Sequence, residues 1–242
     1  MKTETGSGGE RISGEENRSP PAARATRGRK KAGRPYHHGA LREAMLDAAE
    51  EILAKEGING LTLRAAARKA GASHAAPKNH FGDLTGLLSE LASIGFRRFS
   101  AELRAAAAAE TDPDRRGVAR GMAYVHFAER HPGMFQLMFR SERLDPSRAA
   151  LREAMDDAAQ ALAETVEEGR EESADAPPLA KAARMAAAWS LVHGFSMLLL
   201  DGRIQAIMRQ LPAGLGTEDL LTEMLAARSS EKRVYPPPSP RA

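Results

Sequence analysis

The chain has 242 residues, 42% of them hydrophobic and 28% charged, with a formal net charge of +3 and no cysteine. That length holds one small and one larger domain with room for a buried core, and the lack of cysteine excludes disulfides, thiolate chemistry and cysteine-ligated metal. No apolar stretch near the N-terminus has the pattern of a signal peptide, and the longest apolar run, residues 191–200, contains His193 and Ser196 and falls short of the ~20 residues of a membrane span, so a cytoplasmic protein with no membrane partner is expected.

The modest net charge conceals one basic segment. Residues 24–80 hold twelve Lys and Arg against five Asp and Glu, a net of +7, whereas residues 1–23 carry −1 and residues 81–242 carry −3. Residues 1–35 are rich in Gly, Ser, Pro and charge and poor in large apolar groups, which predicts a disordered arm. Within it, Arg29, Lys30, Lys31 and Arg34 stand without any acidic neighbour and are candidate phosphate contacts, slim and flexible enough to lie in a minor groove. Most basic runs are solvated tails, but that explains the charge and not its position beside a compact helical segment.

A first helix is expected over residues 40–56, with Leu41, Met45, Ala48, Ala49, Ile52 and Leu53 at helical spacing and a stop at Gly57. Residues 62–81 then read as two short helices joined by a tight turn, the arrangement that sets a second helix into a DNA major groove. Thr62 is placed to cap the first, Gly71 to end it, and Ser73 to cap a second starting at His74, with Pro77 in its opening turn and Phe81 plugging the small core. By spacing alone an ordinary helical hairpin fits equally well.

Beyond it the pattern is helical throughout, with no alternating β pattern. Helices are expected over residues 84–109 and 113–130, over a short apolar stretch after His131-Pro132-Gly133, from Asp145-Pro146 to about Glu172, and over residues 179–201 and 218–228. The tail, residues 229–242, is proline-rich and expected to be disordered. The resulting boundaries are a basic arm at 1–35, a helix-turn-helix domain at 36–83 and a helical domain at 84–228. The fold class is all-α: an N-terminal three-helix helix-turn-helix domain followed by a helical ligand-binding and dimerisation domain.

Phe96, Phe127, Met134, Phe135, Met138 and Met185, with Phe139, offer aromatic and thioether surface for an apolar cavity. Trp189 and His193, one turn apart, place an indole N–H and an imidazole on one helix face. The same residues serve equally as core. Residues 191–200 with Leu220, Leu221, Met224 and Leu225 form a candidate four-helix interface between two copies. No metal site or cofactor is expected: His126 and His131 are five apart, off the i,i+4 spacing of helical metal pairs, and no phosphate loop, nucleophile elbow or HExxH pattern occurs. The adjacent pairs Asp156-Asp157 and Glu167-Glu168 read as solvated faces, so no enzyme is expected.

The stretch Gly-Ala-Ser-His-Ala-Ala-Pro-Lys-Asn-His-Phe-Gly-Asp at 71–83 is similar to a recurrent recognition helix of the TetR family of bacterial transcriptional regulators, and residues 38–100 resemble that family most closely. Trp189-Ser-Leu-Val-His193-Gly194 resembles the Trp-x-x-x-His-Gly stretch of one C-terminal subtype. The resemblance implies a homodimer, joined through the last two long helices, that binds a palindromic double-stranded operator, usually as a repressor, and is released by a small-molecule effector. It implies phosphate contacts for Thr62 and Arg64, a groove-facing position for Ser73, His74 and Ala75, and backbone or base-edge contacts for Lys78, Asn79 and His80. Lys78 stands where the family commonly has tyrosine, and Leu84 where it has lysine, which removes one phosphate contact. A non-sequence-specific nucleic-acid binder and a dimeric module without DNA binding are the alternatives.

Overall fold

The computed structural model describes residues 38–73, 75–167 and 177–230, all within the compact unit His37–Ala242. The basic arm, His74 and the tail lie outside the described residues. Every regular element among those described is helical.

Helix α1 (His38–Gly60) buries Met45, Ala48, Ala49, Ile52 and Leu53 along one face. It kinks at Gly57, whose φ of 69° no other residue type adopts without strain, so the regular helix ends where expected and one turn follows. α2 (Leu63–Lys69) is capped by Thr62, whose Oγ1 accepts from Ala65 N at 3.1 Å. It ends in a Schellman turn: Gly71 takes φ 66°, Gly71 N donates to Arg68 O at 3.2 Å and Ala72 N to Ala67 O at 2.9 Å. α3 (Ala76–Phe81) starts two residues later than expected. Ser73 accepts from Ala76 N through its backbone carbonyl, and no side chain caps the helix. Pro77 does lie in the first turn, where its missing N–H costs nothing.

Asp83 caps α4 (Leu84–Ala109), its Oδ1 accepting from Gly86 N at 2.8 Å. This is the long central helix, and it packs against α5 (Pro113–Arg130), α6 (Pro132–Met138) and α7 (Ala149–Glu167). α6 also packs on α1, so the helix-turn-helix and the helical domain share one continuous core. A Cβ at Gly133 would meet the Leu53 carbonyl oxygen at 2.5 Å, which shows how closely α6 approaches α1.

α7 begins at Ala149, not at Pro146. Ser147 donates both its N–H (3.0 Å) and its hydroxyl (2.6 Å) to Asp145 Oδ1, making a turn that delays the helix. This turn follows a 3₁₀ segment, Ser141–Arg143. Past residue 167 the expected continuation to Glu172 lies outside the described residues. α8 (Pro178–Leu200), the one-turn α9 (Gln205–Met208) and α10 (Thr217–Ser230) complete the chain.

α8 corrects the expectation about apolar length. Its alanine-rich first half joins the run after Leu191, so by length and composition it is apolar enough to cross a membrane. Val192, Phe195 and Ser196 nonetheless face inward, and the helix packs on α5 and α7.

Candidate functional site

The helix-turn-helix presents a polar outer surface. Thr62, Arg64, Ser73, Ala75, Lys78 and Asn79 are exposed, while Ala66, Ala67, Ala76, Pro77 and Phe81 are buried beneath them. His80 is half-buried, its ring tilted against Phe81 at 6.2 Å. Arg42 lies over the Phe81 ring at 6.0 Å. Lys69 faces away from this surface and pairs with Glu51 of α1 at 2.8 Å, which holds the Glu51 carboxyl below its usual pKa. Leu84 packs against the core, so its side chain is occupied as an apolar group where a lysine would reach outward. Arg29, Lys30, Lys31, Arg34 and His74 lie outside the described residues.

The helical domain contains a cavity of about 350 Å³ between α4, α5, α7 and α8. Phe96, Met138, Met185 and Trp189 of the expected set line it, with Phe139. Phe127, Met134 and Phe135 do not: they are buried in the core, with Phe127 edge-on to Phe99 at 5.2 Å. Phe99, Tyr124, Met155, Ala158, Ala159 and Leu162 complete the wall. Tyr124 and Phe99 lay within predicted amphipathic helices, but nothing marked α7 as a wall, because alanine carries no chemical signal and the packing of α7 on α4 is a tertiary fact.

His193 sits behind the cavity and is joined to it through Tyr124. The Tyr124 hydroxyl lies 2.9 Å from His193 Nδ1 and accepts from Trp189 Nε1 at 3.2 Å. Indole N–H only donates, so the phenol oxygen accepts from Trp189, and toward His193 Nδ1 it donates or accepts according to the imidazole tautomer. Burial lowers the His193 pKa and raises that of Tyr124, both toward the neutral forms this arrangement needs. Trp189 Nε1, the Tyr124 hydroxyl and His193 Nδ1 therefore form one hydrogen-bonded chain at this end. Among the described residues, no carboxylate, lysine or arginine lines the cavity.

Other polar residues hold elements together. His126 Nε2 meets Glu218 of α10 at 3.0 Å, and the His131 ring lies tilted against Phe127 with centroids 5.0 Å apart. Asp157, expected to be solvated, pairs with Arg104 at 2.8 Å and accepts from the Ser100 hydroxyl; the Arg104 hydrogen bond comes first in holding its carboxyl below the usual range. Glu168 lies outside the described residues. Among the described residues, no three His, Cys, Asp or Glu gather as a metal site.

The expected interface set also needs correction. Leu221 and Leu225 are buried within the single chain, with Leu225 against Gly121 of α5, so they have no surface to offer a second copy. α8 instead exposes Leu179, Ala183, Ala186, Ala187, Ser190 and Leu198 at helical spacing.

A capped, Schellman-terminated helix pair on a three-helix unit, continuous with an all-α domain that holds an apolar cavity open to solvent, defines a helix-turn-helix regulator with a sensory domain. Residues 118–227 match the family described as Tetracyclin repressor-like, C-terminal domain. A solved structure of a protein of unknown function from Rhodococcus sp. RHA1 is 32% identical and superposes over 81% of this chain and 96% of its own, with a TM-score of 0.66. PfmR, a TetR family transcriptional regulator from Thermus thermophilus, shares the fold at 17% identity and a TM-score of 0.55, over 79% of this chain and 97% of that one. The HTH-type transcriptional regulator YobS of Bacillus subtilis (strain 168) is 31% identical over 98 residues, covering 40% of this chain and 51% of that protein, so the chain spans about half the length of that relative. The chain belongs to the TetR family of transcriptional regulators.

Proposed function

We propose that this protein is a homodimeric cytoplasmic repressor that binds a palindromic operator through α2 and α3 and is released by an uncharged apolar molecule held in the aromatic cavity. The observation that carries the proposal is the pairing of the exposed α2–α3 surface with that cavity in one continuous core. The DNA-binding part is assigned to residues 36–83 and the effector and dimerisation part to 84–228, with the turn at Gly82-Asp83 between them. Asn79 is assigned to base edges and Lys78, Thr62 and Arg64 to phosphates, with Arg29, Lys30, Lys31 and Arg34 as the reaching arm.

The effector class is a matter of chemistry. Five aromatic and three methionine side chains surround the space, and a charged ligand would find no counter-charge among the described residues there. The exposed apolar stripe of α8 supports a two-fold interface, since two such stripes would cover each other. The test is to incubate the protein with fragmented genomic DNA at physiological salt and sequence what is retained. Enrichment of a few fragments sharing an inverted repeat is expected; uniform retention would favour a non-specific binder, and no retention by ligand-free protein would overturn DNA binding.

A further inference from the structure

A second cavity, of about 340 Å³, lies between α1, α4 and the start of α7 and shares no lining residue with the aromatic one. Its chemistry is different. Leu46, Ile94 and Leu151 give it an apolar floor, while Arg42, Arg97 and Arg148 bring three guanidinium groups to its walls.

The charges do not balance. Glu90, also on the wall, pairs with Arg42 and lies 3.7 Å from Arg148, and Asp145 stands behind Arg148 at 3.6 Å. Neither carboxylate pairs with Arg97, so among the described residues one positive charge is unmatched. Arg148 Nε is buried and faces Asp145 Oδ2 at 3.6 Å, beyond hydrogen-bond length, while its Nη2 donates to Phe81 O at 3.1 Å. A contact that long satisfies the Nε–H only weakly. The first turn of α7, at Ala149 and Ala150, forms a further wall, and its dipole has the sign that favours an anion.

We propose that this cavity is a binding site for a small organic anion, a carboxylate attached to an apolar body. The carboxylate takes the position between the Arg97 and Arg148 guanidinium groups, and the body covers Leu46, Ile94 and Leu151. Guanidinium groups favour carboxylates because their N–H groups match the two oxygens. A bare inorganic ion would leave the apolar floor uncovered, and a neutral ligand would leave Arg97 unmatched. The volume falls in the range of small-molecule sites and admits a body the size of one aromatic ring. The site stands on free protein alone, so it is independent of whether the chain represses an operator.

The test is calorimetric titration of the full-length chain, without DNA, using benzoate, benzamide and inorganic phosphate as probes, with Arg97→Gln as the variant. Arg97 is exposed on α4, so the variant is expected to keep its fold, which circular dichroism checks. Benzoate is expected to bind, benzamide and phosphate to bind at least about tenfold more weakly, and Arg97→Gln to weaken benzoate about tenfold. Four results would overturn the proposal: no binding of benzoate, equal binding of benzamide, equal binding of phosphate (an adventitious ion only), or benzoate binding indifferent to Arg97→Gln, which would put benzoate in the aromatic cavity.

Discussion

Arg148 Nη2 donates to the Phe81 carbonyl across 3.1 Å, so the residue just before α7 holds the last residue of α3. Met155, Ala158, Ala159 and Leu162 of the same α7 wall the aromatic cavity. α7 and the residue before it therefore touch both the aromatic cavity and the end of α3. Gly86 lies against this junction, where a Cβ would meet the Phe81 carbonyl and come within 2.5 Å of Arg148 Nη2.

Arg148→Ala should lower stability by about 1–2 kcal/mol in urea unfolding, since it removes a charged hydrogen bond from a side chain that is one-third exposed. Gly86→Ala should cost about 1–3 kcal/mol, because the clash with backbone outweighs the roughly 1 kcal/mol of helix propensity gained. A stabilised Gly86→Ala protein would show that the close approach of Gly86 to Phe81 relaxes without cost.

Stability should depend on pH through His193. Its folded pKa lies below the ordinary value, so between that lowered pKa and about 6.5 the unfolded chain binds more protons than the folded one. The contribution is complete above about pH 6.5 and is lost as pH falls through the window beneath it. His193→Asn should flatten that part of the curve, measured by chemical denaturation at a series of pH values. An unchanged slope would assign the effect to other groups.

Tyr124→Phe should cost about 1–2 kcal/mol, as Trp189 Nε1 and His193 Nδ1 both lose their partner. Comparing Tyr124→Phe, His193→Asn and the double variant in one cycle measures the coupling. Additive costs would mean the two side chains act independently.

Narrowing the mouth of the cavity with Ala159→Phe, at an exposed position of its wall, should weaken binding of the uncharged fluorophore N-phenyl-1-naphthylamine while the helical circular dichroism signal persists. Binding unchanged by the narrowed mouth would move the effector site elsewhere.

Leu198→Glu, in the exposed α8 stripe, should convert the proposed dimer to monomer in sedimentation. Leu198 is 41% exposed, so the folded chain tolerates the charge. A dimer that withstands both this change and Leu179→Glu would not use α8.

Asn79→Ala should relax base preference by about 1–3 kcal/mol if Asn79 reads adenine, while deletion of residues 1–34 should flatten the salt dependence of binding. Quantitative competition between operator variants measures the first, and a salt titration the second. Unchanged preference would move Asn79 to the phosphate contacts.

Much of the fold was legible because its signals are local. Thr62 and Asp83 accept from backbone N–H groups three residues on, Gly71 adopts the left-handed turn, and Pro113 starts α5, so the ends of α2, α4 and α5 are set by neighbours in sequence. Helical spacing likewise put Met45, Ile52 and Leu53 in the core, because period 3.6 and burial are two expressions of one geometry. Where two local signals competed, the chain alone did not decide: Ser73 contributes its carbonyl and not its hydroxyl, and Asp145 folds a turn that postpones α7.

The tertiary structure decided what each apolar or charged side chain is for. Phe96 and Phe127 are alike in sequence, yet one lines a cavity and the other fills the core, because only helix crossing determines where space remains. Asp157 became a partner of Arg104, Leu221 and Leu225 became interior, and Arg148 reached Phe81 across 67 residues. Composition and periodicity determined an all-helical chain with a basic helix-turn-helix, because those properties reside in short stretches. The cavities and the junction are long-range, and only the packing of α4, α7 and α8 brings their residues together.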